Sequence, residues 1–260
     1  MTGEAAMTAA TGLRSREVEA PELGDRVLLA IDTAIGTSVA LGASGRVVEI
    51  SSDDPRGHAE AIGGLLAEAF RLSGVSPAAM TGVVAGIGPG PFTGLRVGIA
   101  AAHAFAVARR APLLPLQGHE AVALDAFEGA ASGVRVVQDA RRRELFVTEF
   151  SDLDWAGIPV RSAGPGLVAR ADYEAVPNEV WPERIPTATL VRLAARRLAA
   201  GRDFESDRAV YLRAPDVKQP GAAHPGSGGT APPARRAEPR RPAPRFPLRR
   251  PLRHRRPRSN

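Results

Sequence analysis

Two acids, Asp32 and Asp139, each close an apolar run and open a turn, and between them lies the stretch GIGPGPFTGLRV at residues 86–97. An acid at the end of a strand can help to hold a metal and phosphate, or it can cap its own turn by accepting hydrogen bonds from following backbone N–H groups. A turn rich in glycine before a helix can cradle a phosphate, build an oxyanion hole or let something else approach the backbone closely. The first use meets obstacles in the sequence. A dinucleotide fingerprint starting at Gly86 and Gly88 needs glycine at position 91, where Pro91 stands, and a P-loop needs a Gly-Lys pair.

The only lysine is Lys218, near the start of the C-terminal tail, so a P-loop, Schiff-base or general-base lysine is missing from the body of the chain. No G-x-S-x-G occurs, which lowers the case for serine hydrolysis. The histidines are His58, His103, His119, His224 and His254, with no pair at helical ligand spacing, and there is no cysteine. No catalytic residue, metal site or disulfide is expected. Close approach is the remaining use. After the turn, small residues recur four apart at Gly94, Gly98, Ala102 and Ala106, on one side of a helix. Each interior glycine costs about 1 kcal/mol relative to alanine, so the stripe predicts a backbone packed tightly against it. Pro89 and Pro91 restrict the approach to the helix, and Thr93 is the expected N-cap. Arg96 lies in the first turn, where the helix dipole disfavours a cation. It either answers an acid or phosphate outside its own helix or is an ordinary surface arginine.

These residues need elements to hold them. VLLAID at 27–32, TSVALG at 37–42 and RVVEIS at 46–51 predict a three-stranded meander. Ile62, Leu65, Leu66, Ala69 and Phe70 predict a helix over about 57–72. GVVAGI at 82–87 predicts a buried parallel strand, followed by the glycine turn, a helix over about 93–109 and another strand end at APLLPL. The second half starts over, with a helix near 119–127 and then strand, Asp139, turn and strand in VRVVQDARRRELFVTEF. Asp32 and Asp139 thus occupy equivalent places in two similar units. TATLVRLAARRLAA predicts the last helix, N-capped by Thr187 or Thr189, and AVYLR a closing strand.

The net charge of +6 divides unevenly. From Lys218 to the end stand twelve Lys/Arg and one Glu, which leaves 22 basic and 27 acidic residues in 1–217. Ten of the 23 prolines also lie in the tail. A segment of this composition cannot bury enough apolar surface to offset its ordering entropy, and it is expected to be disordered. It could bind RNA or anionic surfaces non-specifically. Residues 1–25 are expected to be a disordered extension without the apolar core of a signal peptide, and VGIAAAHAFAVA is too short and interrupted to span a bilayer. The expectation is a soluble cytoplasmic protein.

The stretches LLAIDTAIGTSVALG, HAEAIGGLLAEAF, VVAGIGPGPFTGLRVGIAAAHAFAVA, DARRRELF and VYLR run in one order over about residues 26–214, and together they resemble the TsaB (YeaZ) family. The resemblance implies an α/β fold of the actin-like ATPase (ASKHA) class with two ribonuclease H-like lobes, here 26–118 and 119–217, followed by the 218–260 tail. It implies a non-catalytic partner of the TsaD transferase, in a complex that forms N6-threonylcarbamoyladenosine beside the anticodon of tRNAs reading codons that begin with A. A TsaE-like ATPase and tRNA join through that complex, and a homodimer is an option for the chain alone. No cofactor is expected, with weak nucleotide binding left open around Asp32, Thr33, Gly88 and Gly90. The family's partner contact falls on the first-lobe helices, carried over here onto His58, Ile62, Leu65, Leu66, Ala69, Gly94, Arg96, Gly98 and Ala102. The small-residue stripe could serve that contact, the chain's own core, or both. The sequence departs from the family's usual serine at Ala59 and Pro91 and its glycine or small residue near Arg143. Alternatives are a weak ATPase using Asp32 and Thr33, a glycoprotease-like enzyme, and an RNA-binding protein acting through the basic tail.

Overall fold

The computed structural model describes residues 7–8, 13–52, 58–129 and 131–213, and the 218–260 tail lies outside them. In chain order the elements are β1 (Met7–Thr8), β2 (Leu13–Glu19), β3 (Leu28–Asp32), β4 (Thr37–Ala43), β5 (Arg46–Ser52), α1 (His58–Ser73), β6 (Gly82–Gly86), α2 (Phe92–Arg109), β7 (Leu113–Leu116), α3 (Gly118–Glu128), β8 (Val134–Arg141), β9 (Glu144–Leu153), β10 (Pro159–Ala169), β11 (Glu179–Val180) and α4 (Thr187–Ala199).

The first sheet has the order β1-β2-β5-β4-β3-β6-β7. Its centre is the expected antiparallel meander, with β6 and β7 added parallel to β3. The β4–β5 hairpin closes on Ser44 and Gly45, both at positive φ, the mirror-image turn that matches strand twist. Parallel strands need crossovers, and α1 and α2 supply them. Both helices pack on one face of the sheet, where Leu65, Leu66, Ala69, Ala102 and Ala106 join Leu29, Ile31, Val39 and Val83 in one apolar cluster. The second sheet, β10-β9-β8-β11, repeats the order β5-β4-β3-β6 in a shorter form. The two strand–Asp–turn–strand units are its hairpin β8–β9 and the first sheet's β3–β4.

The structure corrects several expectations. The extension 1–25 contributes β1 and β2 to the first sheet, and β2 pairs along the whole of β5, covering an edge that would otherwise expose unpaired backbone groups. The expected division at 118/119 does not separate two cores. Leu28, Ala30 and Val84 of the first sheet share one cluster with Val134, Val136 and Phe150 of the second, with α3 and α4 residues among them. Helix α2 starts at Phe92 after Pro91, and no side chain caps it. AVYLR forms no strand, although the Val210 N–H donates to the Ile87 carbonyl at 2.8 Å.

The start of α4 has no local cap either, since Pro186 precedes it. Its cap comes from β5 instead. The buried Glu49 carboxylate accepts from the Ala188 N–H at 2.7 Å and from the Thr187 hydroxyl at 3.3 Å. Arg16 of β2 donates to the same carboxylate at 3.0 and 3.2 Å. An anion at a helix N-terminus and a guanidinium fork are both favourable partners for it. Glu49→Ala leaves that arginine and an uncapped helix facing each other, so it should cost about 3–5 kcal/mol in urea unfolding.

Candidate functional site

The third strand ends in Asp32, and the glycine turn after β6 folds directly over it. Asp32 is 1% exposed. One of its oxygens accepts from the Ala34 N–H at 2.8 Å, the self-capping turn, and the other, Oδ2, is buried without a partner. Burial pushes its pKa up to about 6, against the opposing pull of the Ala34 N–H. Gly86 makes this possible, since a Cβ there would stand 1.9 Å from Asp32 Oδ2.

Thr33 forms the second connection. Its hydroxyl donates to the Gly94 carbonyl at 2.7 Å and accepts from the Gly98 N–H at 3.0 Å. Those are the two groups that an i→i−4 helix bond would join, so a side chain from β3 reaches into the backbone of α2. Only glycine allows it, because a Cβ at Gly98 would lie 2.4 Å from Thr33 Oγ1. Gly90 similarly clears Ala34, by 2.9 Å between Cβ positions. Gly88, at φ 106, turns its carbonyl to accept from the Gly118 N–H at 2.9 Å. The glycine stretch therefore serves close backbone approach.

Asp32, Thr33, Gly88 and Gly90 are brought together, but they face inward. Both polar side chains are buried and the Thr33 hydroxyl already has its donor and acceptor partners. That does not fit a phosphate held by these four residues. A cleft of about 580 Å³ opens beside them, lined by Gly36, Thr37, Ser51, Gln138, Asp139 and Arg184 among others. Asp139 sits on its rim with its carboxylate accepting from the Arg141 N–H at 2.8 Å, the same local cap as Asp32 in an exposed setting.

The helix residues divide by side. Leu65, Leu66 and Ala69 of α1 and Gly94, Gly98 and Ala102 of α2 are buried against this chain's own sheet, and Ile62 is half-buried. His58 opens α1. Arg96 is exposed and lies 5.0 Å above the Phe92 ring, so it answers an aromatic face of its own helix. Facing solvent are Gly63, Gly64 and Ala67 of α1 and Ala100, Ala104, Val107 and Ala108 of α2. A Cβ at Gly63 or Gly64 would meet nothing within 4 Å. These glycines have no packing partner among the described residues, and the sequence contained their signal: HAEAIGGLLAEAF holds an adjacent glycine pair inside a helix.

Two predictions follow from the buried turn. Thr33→Val leaves two backbone groups short of a partner and should cost about 1–3 kcal/mol, and Gly98→Ala should cost a similar amount, about 1–3 kcal/mol, by overpacking; both are checked by denaturant unfolding. The raised pKa of Asp32 means the native state holds a proton that the unfolded chain, near 3.8, has lost. Its contribution is therefore intact below about pH 4 and is lost as pH rises through about 6. Asp32→Asn should remove a decline on the order of 3 kcal/mol between those limits, seen as the difference between wild-type and variant stability against pH.

A family model described as "TsaD: tRNA N6-adenosine threonylcarbamoyltransferase" matches residues 49–175. An uncharacterised protein of Mycobacterium tuberculosis is 32% identical over 209 residues, covering 74% of this chain and 93% of its own. The tRNA threonylcarbamoyladenosine biosynthesis protein TsaB of Escherichia coli is 33% identical over 125 residues, 47% of this chain and 54% of that one. Among solved structures, YeaZ from Pseudomonas aeruginosa superposes with a TM-score of 0.61 at 26% identity, covering 72% of this chain and all of its own. With the twice-repeated strand order, the Asp-ended first strand and the glycine turn packed on it, the chain has the actin-like fold and belongs to the TsaB (YeaZ) family.

Proposed function

We propose that this chain serves tRNA threonylcarbamoyladenosine biosynthesis as a non-catalytic partner of a TsaD-type transferase, docking through the solvent side of α1 and α2. The observation that carries this is the character of that side. Helix α2 has only Arg96, His103 and Arg109 as ionisable residues over its length, and its outward Ala100, Ala104 and Ala108 recur four apart. Val107 beside them is 76% exposed. A helix apolar on every side is normally buried on every side. On α1 the exposed Gly63 and Gly64 give up about 1 kcal/mol each of helix stability, with no compensating contact among the described residues. Small residues on both helices let another helix pair come close.

The inward-facing Asp32 and Thr33 support the non-catalytic half of the proposal, since neither side chain reaches the cleft surface. Among the described residues no three of His, Cys, Asp and Glu gather as a metal set. In this proposal the chemistry belongs to the transferase, and a TsaE-type ATPase and tRNA engage the pair in the cytoplasm. Without the transferase, the same face pairs two copies of this chain, as a self-complementary surface can. No helix among the described residues is long and apolar enough to cross a membrane.

The test is co-purification of the full chain with the TsaD-type protein of the same organism. Gly64→Arg and Ala104→Glu should abolish the pair while the isolated variants stay folded, because both positions are open to solvent. Gly63→Ala and Gly64→Ala should instead stabilise the isolated chain, by about 0.5–1 kcal/mol each. A pair that survives both bulky variants overturns the proposed face, and absence of any pair with wild type overturns the partnership.

A further inference from the structure

A second surface, at the start of α2, has different chemistry. Two shallow grooves of about 160 and 480 Å³ meet at Tyr211. The first runs past Phe92 to Arg141, Arg142 and Arg213, and the second past Arg96 and Arg208. Among the described residues no Asp or Glu lines either groove. Of the five arginines, Arg213 is ion-paired with Glu144, and Arg142 is also engaged within the chain.

The centre of this surface is aromatic. Phe92 and Tyr211 are 39% and 43% exposed, and their ring centroids lie 4.9 Å apart. The Arg96 guanidinium sits over the Phe92 ring. Layers of arginine and aromatic rings left open at a surface are platforms on which nucleic-acid bases stack. At one end, the β8–β9 turn places Arg141, Arg142 and Arg143 at φ 64, 53 and 63. Glycine and asparagine adopt that conformation at least cost, so the turn geometry gives no reason for arginine there. The result is a concentration of positive charge at the tip of a hairpin.

The charge continues along the chain. The described residues end at Arg213, which lines the groove, and from Lys218 onward the sequence carries twelve Lys/Arg against one Glu. A polyanion with stackable faces matches both halves of this chemistry, whereas an acidic protein or a lipid headgroup uses only the charge.

We propose that this basic, aromatic groove binds RNA directly, with arginines on the phosphates and Tyr211 and Phe92 against unpaired bases. This deepens the function proposed above, under which the RNA is the tRNA being modified, and gives this chain its own contact with that substrate.

The experiment is fluorescence anisotropy of a labelled RNA stem–loop with the full chain across a salt series. Arg96→Glu combined with Arg208→Glu should weaken binding about tenfold and flatten its salt dependence. Phe92→Ala combined with Tyr211→Ala should weaken it about tenfold with the salt slope kept, the signature of lost stacking. All four positions are exposed, and circular dichroism confirms that each variant is folded. Wild-type affinity in the charge-reversed variant overturns the proposal and assigns binding to the tail, and no binding by wild type also overturns it. Vesicles containing phosphatidylserine that displace the RNA as well as unlabelled stem–loop does would overturn it in favour of a membrane. Ala100 lines the second groove and also belongs to the proposed docking stripe, but the variants that test pairing, at Gly64 and Ala104, lie outside both grooves, so failure here leaves co-purification intact, and failure there leaves RNA binding intact.

Discussion

The hydroxyl of Thr33 sits between the Gly94 carbonyl and the Gly98 N–H, and the rest of the first sheet's architecture is arranged to let it. For a strand side chain to enter a helix backbone, the helix must have no side chains at the point of entry, and it must arrive at a fixed angle. Gly94 and Gly98 meet the first condition, and the turn through Gly88, Pro89, Gly90 and Pro91 meets the second. Gly86 then leaves room for the Asp32 carboxylate under the same turn. The glycines are expensive in an unfolded-state ledger, since each has more freedom to lose than any other residue. Gly86, Gly90 and Gly98 persist because a Cβ at each would come closer than 3 Å to Asp32, Ala34 or Thr33.

That constraint also determines what the site can do. In an actin-like fold the acid at the end of the first strand is positioned to meet a ligand, yet here its free oxygen is enclosed by Gly86 and its other oxygen caps its own turn. An acid whose pKa is held near 6 by burial is costly to keep ionised at neutral pH. Its counterpart Asp139 makes the same local bond at the surface, where water offsets that cost. Two equivalent strand ends thus differ in burial and in charge partner, since Asp139 lies 3.6 Å from the Arg170 guanidinium.

Most of the element order was readable from sequence, because apolar runs of period two and period 3.6 signal strands and helices regardless of tertiary context. The errors fall where a distant residue decides. β2 is polar and alternates with charge, and only its pairing with β5 makes it a strand. The cap of α4 comes from Glu49, and no local motif at Pro186 announces it. The buried network in which Arg161 and Arg197 meet Glu120 joins β10, α4 and α3 and has no sequence signature either. At the candidate site, the glycine stripe showed that something packs closely on α2 but could not identify it as Thr33, 65 residues before Gly98.

Helix α2 explains why periodicity alone could not tell which of its stripes the chain itself buries. It carries two small-residue stripes, Gly94-Gly98-Ala102-Ala106 and Ala100-Ala104-Ala108, and periodicity treats them alike. The sheet can take only one. It takes the stripe with glycines, because the approach of Thr33 demands them, and alanine suffices on the other. Once the inner stripe is occupied, the outer one is left exposed as a row of alanines. Beside it, Gly63 and Gly64 lower the profile of α1 without a contact to any described residue. A chain that stood alone would gain stability by placing alanine or longer polar side chains at these positions. Under the proposed partnership, the missing side chains at Gly63 and Gly64 leave room for the helices of another molecule.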